Sequence, residues 1–479
     1  MLIAELVGRT LAQLGVGHAF GVVGSGNFVV TNALRAHGVP FLATRHEAGA
    51  ATAADAYART SGEVAVVTVH QGCGLTNAIT GIAEAAKSRT SLLVLAADVA
   101  GSAVRSNFRI EQDALVRSVG AVPERVHSVA SAPADVTRAW RTARNSRRTV
   151  VLNLPLDVQA MQASSGTPDS LRDPGRPAPV RPGDRDVRRL AELITAAERP
   201  VFIGGRGARA CGPGLSRLAE QIGALLATSA VAKGLFAGDP YDLGISGGFA
   251  SPLAAELIGD ADLLVAWGCS LTMWTTKHGR LIGADTTVIQ VDDDEPSLGA
   301  NQPITLGVHG DVGETVVAVA NVLEREPRLT AYRTPELAAR LATESRWNDV
   351  ATEDLSTDST IDPRLLSRLL DELLPRERVV AVDSGNFMGY PAAYLSVPDP
   401  TGFCFTQSFQ SIGLGLATAI GAALASPGRL PVLATGDGGL LMAAAELETA
   451  VRLRLGLLII VYDDHAYGAE VHHFGPDGA

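Results

Sequence analysis

Leu430-Pro-Val-Leu-Ala-Thr-Gly436-Asp437-Gly438-Gly439 and Leu457-Leu-Ile-Ile-Val461-Tyr-Asp463-Asp464-His465-Ala466-Tyr467-Gly468 decide the fold. Each opens on a short apolar run, as a strand buried on both faces of a sheet does. Each closes in a turn that carries aspartate and glycine. Between them, Leu440 to Leu455 is rich in alanine and leucine and reads as one long helix. Strand, turn, helix, strand, turn is a βαβ unit with parallel strands. Both acidic turns then fall at the carboxyl ends of neighbouring strands, where open α/β sheets bind ligands. Two carboxylates beside a glycine turn suit Mg²⁺, which takes one or two protein carboxylates and fills its other positions with phosphate and water. Glycines there let backbone N–H groups approach those phosphates.

The same alternation runs through the chain. At its amino end, His18–Val23, Pro40–Thr44, Val64–Val69, Ser91–Ala97 and Val150–Leu154 read as strands, separated by helices rich in small residues. Met161 to Asp186 turns polar and rich in Pro, Gly, Asp and Arg, as linkers do. Pro200–Gly205, Ala224–Thr228, Asp262–Trp267 and Thr287–Val291 are the strands of a second domain. A less regular connector precedes Val379-Val-Ala-Val-Asp383-Ser384-Gly385-Asn386, the strand and loop that open a third. The expected fold is α/β: three doubly wound parallel-sheet domains over 1–160, 187–325 and 362–479, with a linker over 161–186 and a connector over 326–361.

Composition narrows the function. The chain has 479 residues, enough for about three domains. A net charge of −11 argues against nucleic acid or an anionic membrane surface as partner. Cys73, Cys211, Cys269 and Cys404 share no metal-ligand spacing and read as reduced core thiols of a cytoplasmic protein. The amino terminus carries acid inside its apolar run, unlike a secretory signal. No apolar run reaches the ~20 residues that span a bilayer. Gly205-Arg-Gly207-Ala-Arg-Ala210 loosely fits a dinucleotide fingerprint. No acidic residue ends the strand after it, so a tight turn is the better reading; Asp292 is the acidic alternative for a ribose.

Five ordered motifs complete the picture: Gly21-Val-Val-Gly24, Arg45-His-Glu47-Ala-Gly-Ala50, Gly72-Cys-Gly-Leu-Thr-Asn77, Gly436-Asp437-Gly438 and Asp463-Asp-His-Ala-Tyr-Gly468. Together they resemble the thiamine diphosphate-dependent enzymes of the acetolactate synthase, pyruvate decarboxylase and benzoylformate decarboxylase group. The likeness covers nearly the whole chain. It implies a pyrimidine-binding domain, a central domain and a diphosphate-binding domain. It implies thiamine diphosphate and Mg²⁺ as cofactors, and decarboxylation or carboligation of a 2-keto acid as the reaction, in a lyase or transferase. Glu47 matches the catalytic glutamate that hydrogen-bonds the aminopyrimidine ring. His70, Gln71 and Gln112 match positions that meet substrate or carry protons. Asp437, Asp464 and the Ala466 carbonyl match the metal ligands. Gly24, Asn77, Ser384, Gly385, Asn386, Gly413, Gly436, Gly438, Gly439, Tyr467 and Gly468 fall at cofactor-binding positions, and Ile412 at that of the residue that props the cofactor in its bent form.

In this family each site is shared between subunits, so the resemblance implies a homodimer or a homotetramer. Departures accompany it. Acetolactate synthases carry a central-domain arginine where this chain has Gly268-Cys-Ser-Leu-Thr-Met-Trp274, and a tryptophan shortly after the acidic turn where this chain has Glu470-Val-His472-His473-Phe474. That argues against branched-chain amino-acid biosynthesis. FAD in the central domain has no motif to support it. Asp463-Asp464 replaces a paired-Asn turn, and Cys73 stands where many relatives have proline. Relatives continue several dozen residues beyond this turn, so the expected diphosphate domain is incomplete, and a non-catalytic homologue acting through a partner subunit is the alternative function.

Overall fold

The computed structural model describes residues 1–163, 175–324 and 331–475. They form two compact units: residues 1–177, 379–388 and 404–479 make the first, and 178–378 and 389–403 the second.

The first unit holds two sheets. One contains β1 (His18–Gly21), β2 (Phe41–Ala43), β3 (Ala65–Val69), β4 (Leu92–Asp98), β5 (Val122–Arg125) and β6 (Thr149–Pro155), in the order β2-β1-β3-β4-β6-β5 with every pair parallel. All five residues of β3 and all seven of β4 are buried, which is why these strands read as unbroken apolar runs.

The second unit has its own parallel sheet: β7 (Pro200–Gly204), β8 (Leu225–Thr228), β9 (Asp242–Ile245), β10 (Leu263–Trp267), β11 (Thr287–Asp292) and β12 (Leu306–His309), in the order β12-β11-β10-β7-β8-β9. The order reverses between β7 and β10. There the Gly207 N–H donates to the Gly268 carbonyl at 3.1 Å, and a Cβ on Gly205 would overlap that same oxygen. The Gly205 segment is thus a tight 3-10 turn, Arg206–Cys211, packed backbone to backbone against the end of β10.

The remaining strands return to the first unit: β13 (Arg378–Val382), β14 (Phe403–Phe405), β15 (Leu430–Gly436) and β16 (Leu458–Tyr462), ordered β14-β13-β15-β16. β15 and β16 are parallel, with Gly436 opposite Tyr462, so the turns after them lie side by side. All three sheets are parallel and flanked by helices, the doubly wound α/β class. Within the first unit, the helix Glu47–Ser61 packs closely on the helix Gly415–Ala425. Their small residues allow it: a Cβ on Gly421 would overlap the Ala53 carbonyl.

The structure departs from the sequence expectation in several places. Leu440 to Leu455 forms two helices, Asp437–Met442 and Glu446–Arg452, not one. The chain tightens between them, with Ala443, Ala444 and Glu446 N–H groups bonding three residues back. That turn swings Glu446 inward, and tertiary hydrogen bonds override the helix preference of the alanines. The helix Asp184–Ala196 begins inside the expected linker, of which 164–174 lie outside the described residues. The expected connector contains the helix Pro335–Glu344. Of the four cysteines, Cys269 and Cys404 are core thiols, whereas Cys73 is exposed and Cys211 half-buried.

Candidate active site

Both sheets of the first unit place candidate residues where their strand order reverses, the position at which open α/β sheets bind ligands. In the first sheet the reversal lies between β1 and β3. The loop after β1 carries Gly24 and the loop after β3 carries His70 and Gln71. They touch: a Cβ on Gly24 would lie 2.6 Å from His70 Cδ2, and Ser25 Oγ is 3.3 Å from His70 Nε2. His70 Nδ1 is 3.1 Å from the Gln71 carbonyl. A carbonyl only accepts, so Nδ1 carries the proton and Nε2 of the neutral ring is the acceptor for the Ser25 hydroxyl. The ring edge meets Phe108 at 4.9 Å between centroids.

Glu47 opens the helix Glu47–Ser61, directly after β2. It is half-buried, and Asn77 Nδ2 donates to its Oε2 at 3.0 Å. Asn77 lies in the first turns of the helix Cys73–Lys87, the one that follows His70. A Cβ on Gly74 would sit 3.1 Å from His70 Cβ and 3.5 Å from Glu47 Oε1, so Glu47 and His70 flank the same glycine. Gln71 is buried, and its Oε1 has no hydrogen-bond partner.

Gln112 stands behind the Gly72 turn. It is buried, and its amide is used by the fold: Oε1 accepts from Gly72 N–H at 3.0 Å, and Nε2 donates to the Ala97 carbonyl at 3.2 Å and Asn153 Oδ1 at 2.7 Å. It fixes the Gly72 turn from behind, with both amide atoms hydrogen-bonded within the fold.

The other cluster lies where the last sheet reverses, between β13 and β15. Ser384, Gly385 and Asn386 follow β13; Gly436 to Gly439 end β15. Asp383, only 1% exposed, ties these segments together. Its Oδ1 accepts from the N–H groups of Ser384 at 2.8 Å and Leu414 at 3.2 Å. Its Oδ2 accepts from Gly413 N–H at 3.2 Å and Thr435 Oγ1 at 3.1 Å. Burial pushes its carboxyl above the usual range, against the pull of these four donors. A Cβ on Gly439 would lie 2.5 Å from Asp383 Oδ2, so the glycine turn rests directly on this carboxylate. Gly413, at φ +83°, takes a backbone conformation that favours glycine. Ile412 beside it is half-buried.

Asp437 begins the short helix after β15, and Asp464 stands in the turn after β16. Asp464 Oδ1 accepts from Ala466 N–H at 3.2 Å. A Cβ on Gly468 would overlap Asp464 Oδ2 and lie 3.3 Å from Asn386 Nδ2; one on Gly438 would lie 3.0 Å from the Tyr467 ring. These glycines leave a cradle that side chains would fill, rimmed by Asp464, Asn386 and the Tyr467 ring, with Asp437 next to Gly438 in sequence. Among the described residues no three His, Cys, Asp or Glu side chains converge as a ready metal cage. A hard cation here would draw on two carboxylates, a carbonyl and ligand oxygens, as Mg²⁺ does beside phosphates.

Three residues that the motifs leave out organise these clusters. Asp383 is one. Asn27, 1% exposed, accepts from Gly24 N–H at 2.8 Å and donates to Thr68 Oγ1 and the Val22 carbonyl, holding the Gly24 turn. Glu446 is the third, and its partners are the residues just before Glu47. The sequence signal for Asp383 is a polar residue directly after an apolar strand, and for Asn27 an asparagine directly before the helix Phe28–Ala36; Glu446 has none.

Comparison with known proteins agrees with this layout. Three family descriptions match in order: Thiamine pyrophosphate enzyme, N-terminal TPP binding domain, over residues 1–115; the central domain over 187–319; and the C-terminal TPP binding domain over 383–478. A probable 2-ketoarginine decarboxylase of Pseudomonas aeruginosa is 31% identical over 96% of this chain and 81% of its own length. A sulfoacetaldehyde acetyltransferase of Rhodobacter capsulatus is 28% identical over 98% of this chain and 83% of its own. The acetolactate synthase isozyme 2 large subunit of Escherichia coli is 27% identical over 97% and 83%. The chain belongs to the thiamine pyrophosphate-dependent enzyme family.

Proposed function

We propose that this protein is a thiamine diphosphate- and Mg²⁺-dependent enzyme that decarboxylates a 2-keto acid or joins its acyl fragment to a second carbonyl compound. The observation that carries the reading is the Glu47 carboxylate, held by Asn77 at the rim of the β1/β3 crevice and sharing Gly74 with His70. The relatives named above are a decarboxylase, an acetyltransferase and a synthase, which supports a carbonyl substrate and leaves its side chain open.

Asp437, Asp464 and the Ala466 carbonyl would hold Mg²⁺. The backbone of Gly436 to Gly439, with Ser384, Gly385, Asn386, Tyr467 and Gly468, would line the diphosphate. Gly24, Asn77, Ile412 and Gly413 would flank the rings. Bound thiamine diphosphate supplies a carbon nucleophile and an electron sink for cleavage beside a carbonyl. The chain's own residues do the rest. Glu47 holds a proton at its carboxylate, and Asn77 fixes the rotamer that presents it. His70 Nε2, an acceptor toward Ser25, can take or return a proton at the same crevice. Gln71 Oε1, buried and unpartnered, offers an acceptor to a donor that enters.

The minimal active unit is a homodimer whose sites join Glu47 of one subunit to the Gly436 turn of the other, and the protein works in the cytoplasm. No helix among the described residues is long and apolar enough to cross a membrane. Calorimetric titration of thiamine diphosphate with Mg²⁺ tests the reading. Saturable binding that Asp437→Ala weakens at least tenfold is the expected result; no heat of binding to the folded protein refutes it.

A further inference from the structure

We propose that Glu446 is a positioning residue for Glu47. Glu446 begins the helix Glu446–Arg452 and is 3% exposed. Its Oε1 accepts from the N–H groups of Arg45 and His46, both at 3.0 Å, and its Oε2 accepts from Thr449 Oγ1 at 2.6 Å. Arg45 and His46 are the two residues before Glu47. Their N–H groups precede the helical ladder and have no partner in it. A buried carboxylate is costly unless its oxygens are satisfied, and here two backbone donors and a hydroxyl satisfy them.

The fit is close on every side. A Cβ on Gly49 would overlap Glu446 Oε1, so no larger residue stands between the carboxylate and the first turn of the Glu47 helix. Glu448 pairs with Arg45 Nε at 2.5 Å, and the Arg452 guanidinium donates to the Ala43 carbonyl. One short helix therefore grips the turn from Ala43 to His46 at three points. Glu446 alone is buried among them, and it alone holds the amides next to Glu47. Asn77 fixes the Glu47 side chain; Glu446 fixes the backbone from which it projects. A shift of 1 Å in a catalytic group costs up to about a hundredfold in rate.

The inference rests on the reading of Glu47 as the proton-handling carboxylate, and its test separates the two. The full-length protein is loaded with thiamine diphosphate and Mg²⁺, and exchange of the thiazolium C2 proton for deuterium is followed by quenched NMR. No substrate is needed. Cofactor affinity and melting temperature are measured alongside. Glu47→Gln should slow exchange more than a hundredfold. Glu446→Ala should slow it at least tenfold, with cofactor affinity within threefold of the parent. Glu446→Gln keeps an oxygen for both amides, and the Thr449 hydroxyl can reverse toward its NH₂; it should return exchange to within threefold.

Parent-like exchange in Glu446→Ala overturns the proposal. So does loss of exchange in step with cofactor affinity and melting temperature, which would mark a purely structural role. If the Ala variant does not fold, Glu446→Asp, which withdraws the acceptor by one methylene, replaces it. Slow exchange in Asp with restoration in Gln supports the proposal, and equal exchange in Asp, Gln and parent overturns it. Parent-like exchange in Glu47→Gln overturns the reading of Glu47 and this inference together, whereas loss there with parent-like Glu446 variants overturns this inference alone.

Discussion

Replacing Asp383 by Asn changes one atom and reverses one hydrogen bond. The carboxylate takes two donors on each oxygen: Ser384 and Leu414 N–H on Oδ1, Gly413 N–H and Thr435 Oγ1 on Oδ2. In Asp383→Asn the amide oxygen keeps one pair. The NH₂ group faces the other, where the Thr435 hydroxyl can turn to accept and the Gly413 N–H cannot. One buried donor is left opposed, at a cost of about 1–3 kcal/mol. Because Gly439 rests on the same oxygen, the strain falls on the Gly413 loop and the Gly436–Gly439 turn together. If about 2 kcal/mol of it appears in binding, thiamine diphosphate binds about thirtyfold more weakly. Asp383→Ala strands the three backbone donors, while Thr435 Oγ1 keeps the Gly436 carbonyl at 3.2 Å, and should cost about 3–5 kcal/mol, enough to lower the melting temperature of the cofactor-free protein as well. Isothermal calorimetry and thermal melts on both variants are the assay. Parent-like affinity and melting in both would refute the argument that Asp383 ties this half of the site together.

Other parts of the fold make equally direct predictions. Gly421→Val should destabilise the first unit by about 1–3 kcal/mol or more, read as a lower melting temperature, because its side chain meets the Ala53 carbonyl across a helix contact with no slack. Arg59 lies between the buried carboxylates of Asp55 at 2.6 Å and Glu84 at 2.7 Å, and Arg59→Ala should cost about 3–5 kcal/mol by leaving both uncompensated. Burial pushes the Cys269 thiol up to about 11. Its folded value exceeds the unfolded one, so its stabilisation is fully present below the ordinary thiol value of about 8.5 and is lost as pH rises through about 11. Melts across that window should show a downward slope that Cys269→Ala reduces. A thiol reagent at neutral pH should label exposed Cys73 first and reach Cys269 and Cys404 only on unfolding.

The parts of this fold that read from sequence are those where burial is continuous. β3, β4 and β15 are covered on both faces, so their residues announce them without alternation. The strands that escape notice all lie at sheet edges: Val122–Arg125, Asp242–Ile245 and Leu306–His309 are only partly buried, and Phe403–Phe405, though buried, is three residues long. The glycine turns read well because a Cβ has no room there: at Gly439 it would meet Asp383 and at Gly468 it would meet Asp464. Asp383 and Glu446 do not, because their meaning lies in partners far along the chain: Glu446 meets Arg45 across 401 positions. Gln112 shows the opposite case. Its place beside the candidate site reads from sequence, and its hydrogen bonds to Gly72, Ala97 and Asn153 do not.

Under the proposed function, turnover of a 2-keto acid depends on Glu47. CO₂ release is the direct measure, with cofactor, Mg²⁺ and a panel of 2-keto acids presented to the parent and to Glu47→Gln. Turnover of at least one 2-keto acid by the parent and a loss of about a hundredfold or more in the variant are expected. CO₂ release that Glu47→Gln leaves unchanged would contradict that dependence.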